Sequence, residues 1–538
     1  MSENMTNDLL SSNKVLLLQL LFAFAFSYLL FGANFTAQFG LIDDHEIISY
    51  LGSDQTLHFS EIFEKLKHTE VWFGNPSTRY RPSYYSLRLL ETAIWGKSAF
   101  CWYAARTLMF WISVVITWRL CMRPYGVILG GISTLVIFSN AYWADIFARL
   151  GPSETYCTIG LALYSLAYVE LWGESRIKNN AWWLLLTIGA IVCMGSKENL
   201  VLLLPVTFLL CLRAYKRNTL TKFAGITSGI NLAFGFFVTA VVAGSIRKSG
   251  VDVYLNSVSP QARISALCSA IGTSQTFTVF VPFLSSVVFM FMIILLVRYK
   301  SFQSQDYDPI YHAKRLVLAQ FCLAIFFLSQ LIFYNGVWPT RMRYDFPGMV
   351  GVNLANIILV YSVACTLGNI YLRARWRSTA PQFVTSLFCC IYFFGYGLGE
   401  VKDIQAAAGK NSFETNEFTA VFHKILNTVT PEPTVPVVLE SNSIWDLEPI
   451  FSARTYFKAN GVTNPTVIVT NVVHKNLKSA MDLYLAETLT NLSHNGGGLT
   501  DYQDALFPAK ILDNGGRYFV VTFSGESQLA GINIGRVW

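Results

Sequence analysis

The chain has 538 residues, of which 53% are hydrophobic and only 14% charged, well below the roughly 25% charge of an ordinary soluble domain. Most of it belongs in lipid, and an ordinary soluble protein is excluded. The net charge of +7 does not indicate nucleic acid, because the Lys and Arg residues fall mainly in short loops between apolar runs, where they report orientation across a membrane.

A spanning helix needs about 20 apolar residues. The chain predicts eleven such runs, near 15–33, 100–118, 124–142, 156–172, 181–196, 199–215, 223–245, 277–297, 315–336, 347–370 and 381–399. Only Ser196-Lys197-Glu198-Asn199 separates the fifth from the sixth, so one kinked or re-entrant helix would explain the same stretch. The first run follows a single Lys14 and lacks a good small-x-small cleavage site after it, which reads as a retained span and not a signal peptide. All ten cysteines lie in or beside apolar segments, from Cys101 to Cys389 and Cys390, with no disulfide framework or zinc spacing.

Basic residues set the orientation. With the N-terminus inside, the cytoplasmic turns carry Arg119 and Arg123, Arg176 and Lys178, Arg213 to Lys222, Arg298 to Arg315, and Arg373 to Arg377. The opposite face then holds a long first loop, residues 34–99, together with the Gly151-Pro152-Ser153-Glu154 turn, the Lys197-Glu198 turn, the stretch 247–275, the Arg341-Met342-Arg343-Tyr344-Asp345 turn and the C-terminal region. Near Val401 the composition becomes that of a small soluble domain, residues 401–538. Strands are predicted at 434–440, 465–471 and 517–524 and helices at 444–460 and 475–495, a pattern for a small α/β layer with some parallel pairing. The run Gly496-Gly497-Gly498 follows its helix, whereas a phosphate loop must precede one, so it reads as a cap and linker. The predicted fold is an all-α polytopic membrane bundle, residues 1–400, with a small C-terminal α/β domain.

Chemistry concentrates on the outer turns. Leu41-Ile42-Asp43-Asp44-His45-Glu46 follows the first span closely. Adjacent carboxylates at a membrane surface repel and lose hydration, so a metal, a cationic partner or work as a general base must offset the cost. The plain alternative is an N-cap at Asp43 or Asp44. The same face carries Arg79-Tyr80-Arg81-Pro82, Arg88, Arg149, Lys197-Glu198 and Arg341-Met342-Arg343-Tyr344. Arginine forks grip phosphate bidentately, lysine adds a point charge, and Trp338 and Tyr344 suit a membrane surface. Single interfacial arginines also anchor helices without any further role.

An acidic pair after the first span, a long first outer loop, a second acidic residue in the next outer turn and a late Arg-x-Arg-Tyr turn together resemble the GT-C superfamily of membrane glycosyltransferases. That superfamily includes protein mannosyltransferases, lipid A aminoarabinose transferases and O-antigen glucosyltransferases. The resemblance covers about Val15 to Glu400 and none of the tail. It implies an inverting transfer of a sugar from a polyprenyl (undecaprenyl) phosphate to an acceptor on the outer face. Asp43 or Asp44, with Asp44 favoured, would be the general base; Glu154 would hold the acceptor or share the acidic site; and Arg341, Arg343 and Lys197 would stabilise the departing phosphate. Arg79, Arg81, Tyr344, Glu198 and His45 would contact substrate, and His45 with Glu46 leaves a divalent metal open. The tail has neither an oligosaccharyltransferase sequon-reading motif nor β-trefoil repeats, which points to a surface-glycan acceptor such as O-antigen at a bacterial inner membrane. The tail itself is expected to cover the site or dock the acceptor.

The rival readings are a sugar-polymer polymerase or ligase, which would place its large loop later in the chain, and a lipid-linked sugar flippase. A transporter places charge or broken helices at the bilayer midplane, often in two related halves, and neither is visible here. A receptor or assembly protein working through its tail would need one anchoring span and not eleven.

Overall fold

The computed structural model describes residues 13–41, 43–52, 54–71, 79–173, 178–249, 261, 268, 274–300, 308–333, 343–371, 379–441, 447–470, 517–524 and 528–536. It is a helical membrane bundle with a small sheet domain at one end. The bundle opens with α1 (Asn13–Phe31), and the first loop carries α2 (His45–Tyr50), α3 (Ile62–Lys67) and α4 (Pro82–Trp95). Next come α5 (Ala99–Phe138), α6 (Tyr142–Phe147), α7 (Glu154–Trp172), α8 (Asn180–Met194), α9 (Leu203–Lys216), α10 (Lys222–Ser249), α11 (Ser274–Lys300), α12 (Pro309–Phe333), α13 (Gly348–Tyr371), α14 (Thr379–Tyr392) and α15 (Leu398–Val429). Seven helical stretches among the described residues are long and apolar enough to cross a membrane. Their outer faces are greasy: Leu17, Leu21 and Phe24 on α1, Phe236 on α10 and Phe383 on α14 are all exposed, as a lipid-facing surface requires.

Over the described residues, each of the eleven apolar runs lies on a helix. The second and third form the two arms of α5, which folds back on itself at Gly126. That residue has φ 80° and ψ 174°, a region open essentially only to glycine. The arms then meet closely, because Trp118 Nε1 donates to the carbonyl of Val127 at 3.0 Å and a Cβ on Gly130 would lie 2.8 Å from the Met122 backbone. The fifth and sixth runs are separate helices, α8 and α9, joined by a 3-10 turn at Glu198–Leu202.

Lipid is as apolar as leucine, so helices in a bilayer associate through close packing at small residues. Gly160 of α7 and Gly189 of α8 supply such a contact, since a Cβ on Gly189 would stand 2.7 Å from the Gly160 carbonyl oxygen. A second anchor is aromatic. Phe110 of α5 stacks edge-on with Phe31, Phe138 and Phe147 at centroid distances of 5.0, 5.1 and 5.1 Å, a geometry aromatic quadrupoles favour.

The last span does not end where the composition changes. α14, a π-helical turn at Phe393–Gly397 and α15 run on without a break to Val429. The 51-residue stretch from Thr379 is about 75 Å long at 1.5 Å per residue, more than twice the thickness of a hydrocarbon core of about 30 Å. Ile404 and Ala408 pack in the bundle core, while Phe418, Phe422, Ile425 and Val429 pack against the sheet domain. Helix formation depends on local hydrogen bonds and not on the solvent outside, so the polarity shift at 401 leaves the helix intact.

The sheet consists of β1 (Val437–Ser441), β2 (Thr466–Thr470), β3 (Arg517–Ser524) and β4 (Gln528–Arg536), with α16 (Leu447–Ala459) between β1 and β2. Its order is β2-β1-β3-β4. β1 lies parallel to both neighbours, and β3 pairs antiparallel with β4 through an irregularity at Thr522/Phe523. Val437, Leu439, Phe519 and Val521 alternate inward, as a period of two requires, and meet α15 and α16 in one core. β4 has no counterpart in the sequence-based expectation. The predicted helix 475–495 and the glycine run at 496–498 lie outside the described residues.

Candidate active site

Four turns far apart in sequence meet at one end of the bundle. α2 begins just after Asp43 and Asp44, α6 ends before Arg149 to Glu154, Lys197 and Glu198 connect α8 to α9, and Arg343–Asp345 form a 3-10 turn ahead of α13.

Asp43 sits in the left-handed backbone region, φ 65°, which costs Asp and Asn less than other side chains. Two arrangements hold it there. Arg88, fully buried on α4, donates to the carbonyl of Asp43 at 3.3 Å and to that of Leu150 at 2.5 Å, with its guanidinium 5.2 Å from the Trp102 ring. Gly151 meets the other side, since a Cβ there would fall 2.1 Å from Asp43 Cβ. The Asp43 side chain remains about a third exposed, at 32%. Burial raises the carboxyl, but Arg149, Arg343, His45 and Arg88 outweigh that and hold it below the ordinary carboxylate value. Arg149 Nη1 stands 3.9 Å from Asp43 Oδ2 and its Nη2 2.7 Å from Asp145 Oδ1.

Asp44 differs in every respect. Only 3% exposed, it occupies the N-cap position of α2 without capping it. Its Oδ2 instead accepts from the backbone N–H of Gly40 at 2.8 Å, and Oδ1 is buried with no hydrogen-bond partner. Burial pushes this carboxyl up to about 7 against the pull of the Gly40 N–H and Arg88. Glu46 is likewise pushed up to about 7, by burial first. The Tyr84 hydroxyl lies 3.0 Å from Glu46 Oε2 and 3.1 Å from the Gly151 carbonyl. The His45 Nδ1 lies 2.8 Å from Ser452 Oγ on α16.

The basic residues of the later turns are distributed unevenly. Lys197 is buried in an ion pair with Glu154 and has its Nζ 5.1 Å from the Tyr344 ring. Two residues ahead of the predicted span, Glu154 is fully buried; burial raises its carboxyl, but Lys197, Arg343 and Arg81 carry it down to about 2. Arg81 grips Glu198 bidentately, at 2.9 and 3.3 Å, and the charge of Arg79 acts on the same carboxylate. Arg343 lies among Glu154, Tyr344, Asp43 and Asp145, whose combined charge raises it despite burial. One of its terminal nitrogens, Nη1, is buried without a hydrogen-bond partner. Burial raises the Tyr344 phenol, but Arg343 and Lys197 outweigh it and leave it lowered. Arg341 and Trp338 lie outside the described residues.

Asp145 is the residue sequence reasoning missed. Besides binding Arg149, it accepts the backbone N–H of Arg343 at 2.9 Å, so one carboxylate ties the α6 turn to the α13 turn. A lone charge inside the apolar run Tyr142-Trp143-Ala144-Asp145-Ile146-Phe147 was the available signal. A second missed group joins Arg106 to Glu91 and Tyr156: Arg106 Nη2 lies 2.8 Å from Glu91 and 2.9 Å from the Tyr156 oxygen, while its Nε is buried without a hydrogen-bond partner. Among the described residues, no group of three or more His, Cys, Asp or Glu side chains is arranged to hold a metal ion.

The assembled end of the bundle offers an anionic, partly exposed carboxylate beside two guanidinium groups, all resting on apolar helices. That arrangement can accept a proton from a neutral nucleophile and stabilise an anion leaving a few ångströms away. No family model matches the sequence, and no curated protein matches it. Among solved structures the chain is similar to the crystal structure of ArnT from Cupriavidus metallidurans bound to undecaprenyl phosphate, with 12% identity and a TM-score of 0.46 over 95% of this chain and 94% of that one.

Proposed function

We propose that this membrane protein is an inverting glycosyltransferase that moves a sugar from a polyprenyl phosphate to a surface glycan. The observation that carries the reading is Asp43: partly exposed, anionic, held in an unusual backbone conformation, and set beside Arg149 and Arg343. The acceptor hydroxyl attacks the anomeric carbon while Asp43 takes its proton. The new C–O bond forms as the anomeric carbon–phosphate oxygen bond breaks, and polyprenyl phosphate leaves as an anion. Arg343, with an unpartnered buried Nη1, binds that phosphate together with Arg341. Lys197 acts through Glu154 and Tyr344, and Arg79, Arg81 and Glu198 border the substrates. Asp44 supports the loop from within.

The proposed setting is a bacterial inner membrane, with the N-terminus cytoplasmic, the sheet domain periplasmic and O-antigen a candidate acceptor. The test is direct: purified protein in vesicles containing labelled polyprenyl-phosphate sugars and a lipid-linked glycan should give an inverted glycosidic product and free polyprenyl phosphate. Movement of the labelled lipid across the bilayer with no sugar transferred would sink the proposal and favour a flippase.

Gly151→Ala probes the same geometry without touching a charge. The new methyl overlaps Asp43 Cβ, so the carboxylate must shift, and a displacement of about 1 Å costs on the order of 100-fold in rate. Transfer assays should show that loss with donor binding retained, whereas an unaffected rate would mean that the position of Asp43 does not matter.

A further inference from the structure

The loop bearing the acidic pair is gripped by residues more than 370 positions away in sequence. Along α15, Ser412 Oγ pairs with Thr36 Oγ1 at 2.9 Å, Thr415 Oγ1 accepts the Gln38 N–H at 3.0 Å, and Asn416 Nδ2 donates to the Thr36 carbonyl at 2.9 Å. From α16, the Tyr456 hydroxyl donates to the Gly40 carbonyl at 2.7 Å, and Ser452 Oγ lies 2.8 Å from His45 Nδ1. Gly40 is the residue whose N–H holds Asp44. Apolar contacts follow the same path, with Phe39, Leu41, Ile47 and Ile48 sharing one buried core with Phe418, Phe422, Tyr456 and Leu439.

We infer that the C-terminal domain is a clamp that sets the position of the acidic loop, with Tyr456 and Ser452 as positioning residues for Asp43 and Asp44. The domain contacts the loop through Gly40 and His45, and the Asp43 side chain stays partly exposed. Its effect on sugar transfer rests on the function proposed above, whereas its effect on the loop does not. A buried loop whose polar groups are tied to a second element opens only when those ties break, so removing one hydroxyl should be felt in the loop first.

The experiment uses the full chain in nanodiscs with Tyr456→Phe, which keeps the ring against Phe418 and Phe422 at 5.2 and 5.6 Å and removes only the hydrogen bond. Amide exchange over residues 37–46 should quicken about fivefold to tenfold, in proportion to one lost hydrogen bond, while exchange in α7 and α8 stays the same. In the transfer assay kcat should fall by a similar factor with KM for the donor lipid unchanged, and Ser452→Ala should move both readouts in the same direction. Unchanged exchange over 37–46, or faster exchange with unaltered kcat, overturns the clamp. If the wild-type protein transfers no sugar, the functional reading fails, and the exchange result alone decides whether the domain holds the loop.

Discussion

Asp43→Asn should lower sugar transfer by about 100- to 10,000-fold, the range for loss of a general base, while the donor lipid still binds. The substitution is a clean one because asparagine tolerates the left-handed backbone that Asp43 adopts and nearly matches its shape. Asp44→Asn should cost less than about tenfold, since its amide oxygen can still accept the Gly40 N–H and a carboxyl pushed up to about 7 is already half protonated near neutrality. The pH profile separates the two independently. A base held below the ordinary carboxylate value is fully ionised at neutral pH, so the rate should be flat there. An acid limb centred near 7 would instead belong to Asp44 or Glu46 and would move the base role to one of them. Equal losses in the two variants would refute the assignment to Asp43.

Lys197→Met should destabilise the protein by about 3–5 kcal/mol, because removing one partner of a buried ion pair strands the other charge. Glu154, only 2% exposed, would be that stranded charge. Glu154→Gln in the same chain should restore most of the loss. Both are measured as unfolding midpoints in detergent. The sign of the pH dependence follows from the direction of the shift. Glu154 is depressed from 4.5 to about 2, so its contribution, roughly 3 kcal/mol at 1.36 per pH unit, is complete above 4.5 and disappears as pH falls toward 2. In Lys197→Met that acid-dependent loss should shrink, with Arg343 and Arg81 left to hold the carboxylate. A variant as stable as the wild type would mean that the pair is solvated in the folded protein.

Much of the architecture was legible because hydropathy reports directly on lipid: over the described residues every apolar run lies on a helix, and a Gly-containing turn separates the arms of α5. The strands at 437–441, 466–470 and 517–524 were legible as apolar runs between turn residues. β4 was not, since Gln528-Leu529-Ala530-Gly531-Ile532-Asn533-Ile534-Gly535-Arg536 is interrupted by glycines, and its strand identity comes from pairing with β3. The continuation of α15 was hidden for a different reason. Leaving the membrane changes which side chains are favoured, but a helix can continue through the boundary.

At the site, sequence gave the residue types and their shared side, and it could not give the pairing. Whether Lys197 faced a phosphate or Glu154 was a matter of tertiary pairing, and whether Asp43 or Asp44 reached solvent depended on the left-handed backbone at Asp43 and its close approach to Gly151. Asp145 stood out only as a lone charge in an apolar run, and its tie to Arg343 was unreadable because that partner lies 198 positions away.

The core that α15 and α16 complete around the first loop also fixes an order of events during synthesis. Residues 34–50 emerge early, yet the α15 and α16 side chains that complete the cover over Phe39, Leu41, Ile47 and Ile48 are not all made until the ribosome has passed Phe457. Until then the loop is lined, among the buried residues of this core, only by Ala99, Trp102, Tyr103 and Leu150. A product stalled at α13 or α14 would leave these apolar side chains uncovered on the side that α15 and α16 close, and would lack the contacts that hold the acidic loop in the completed chain.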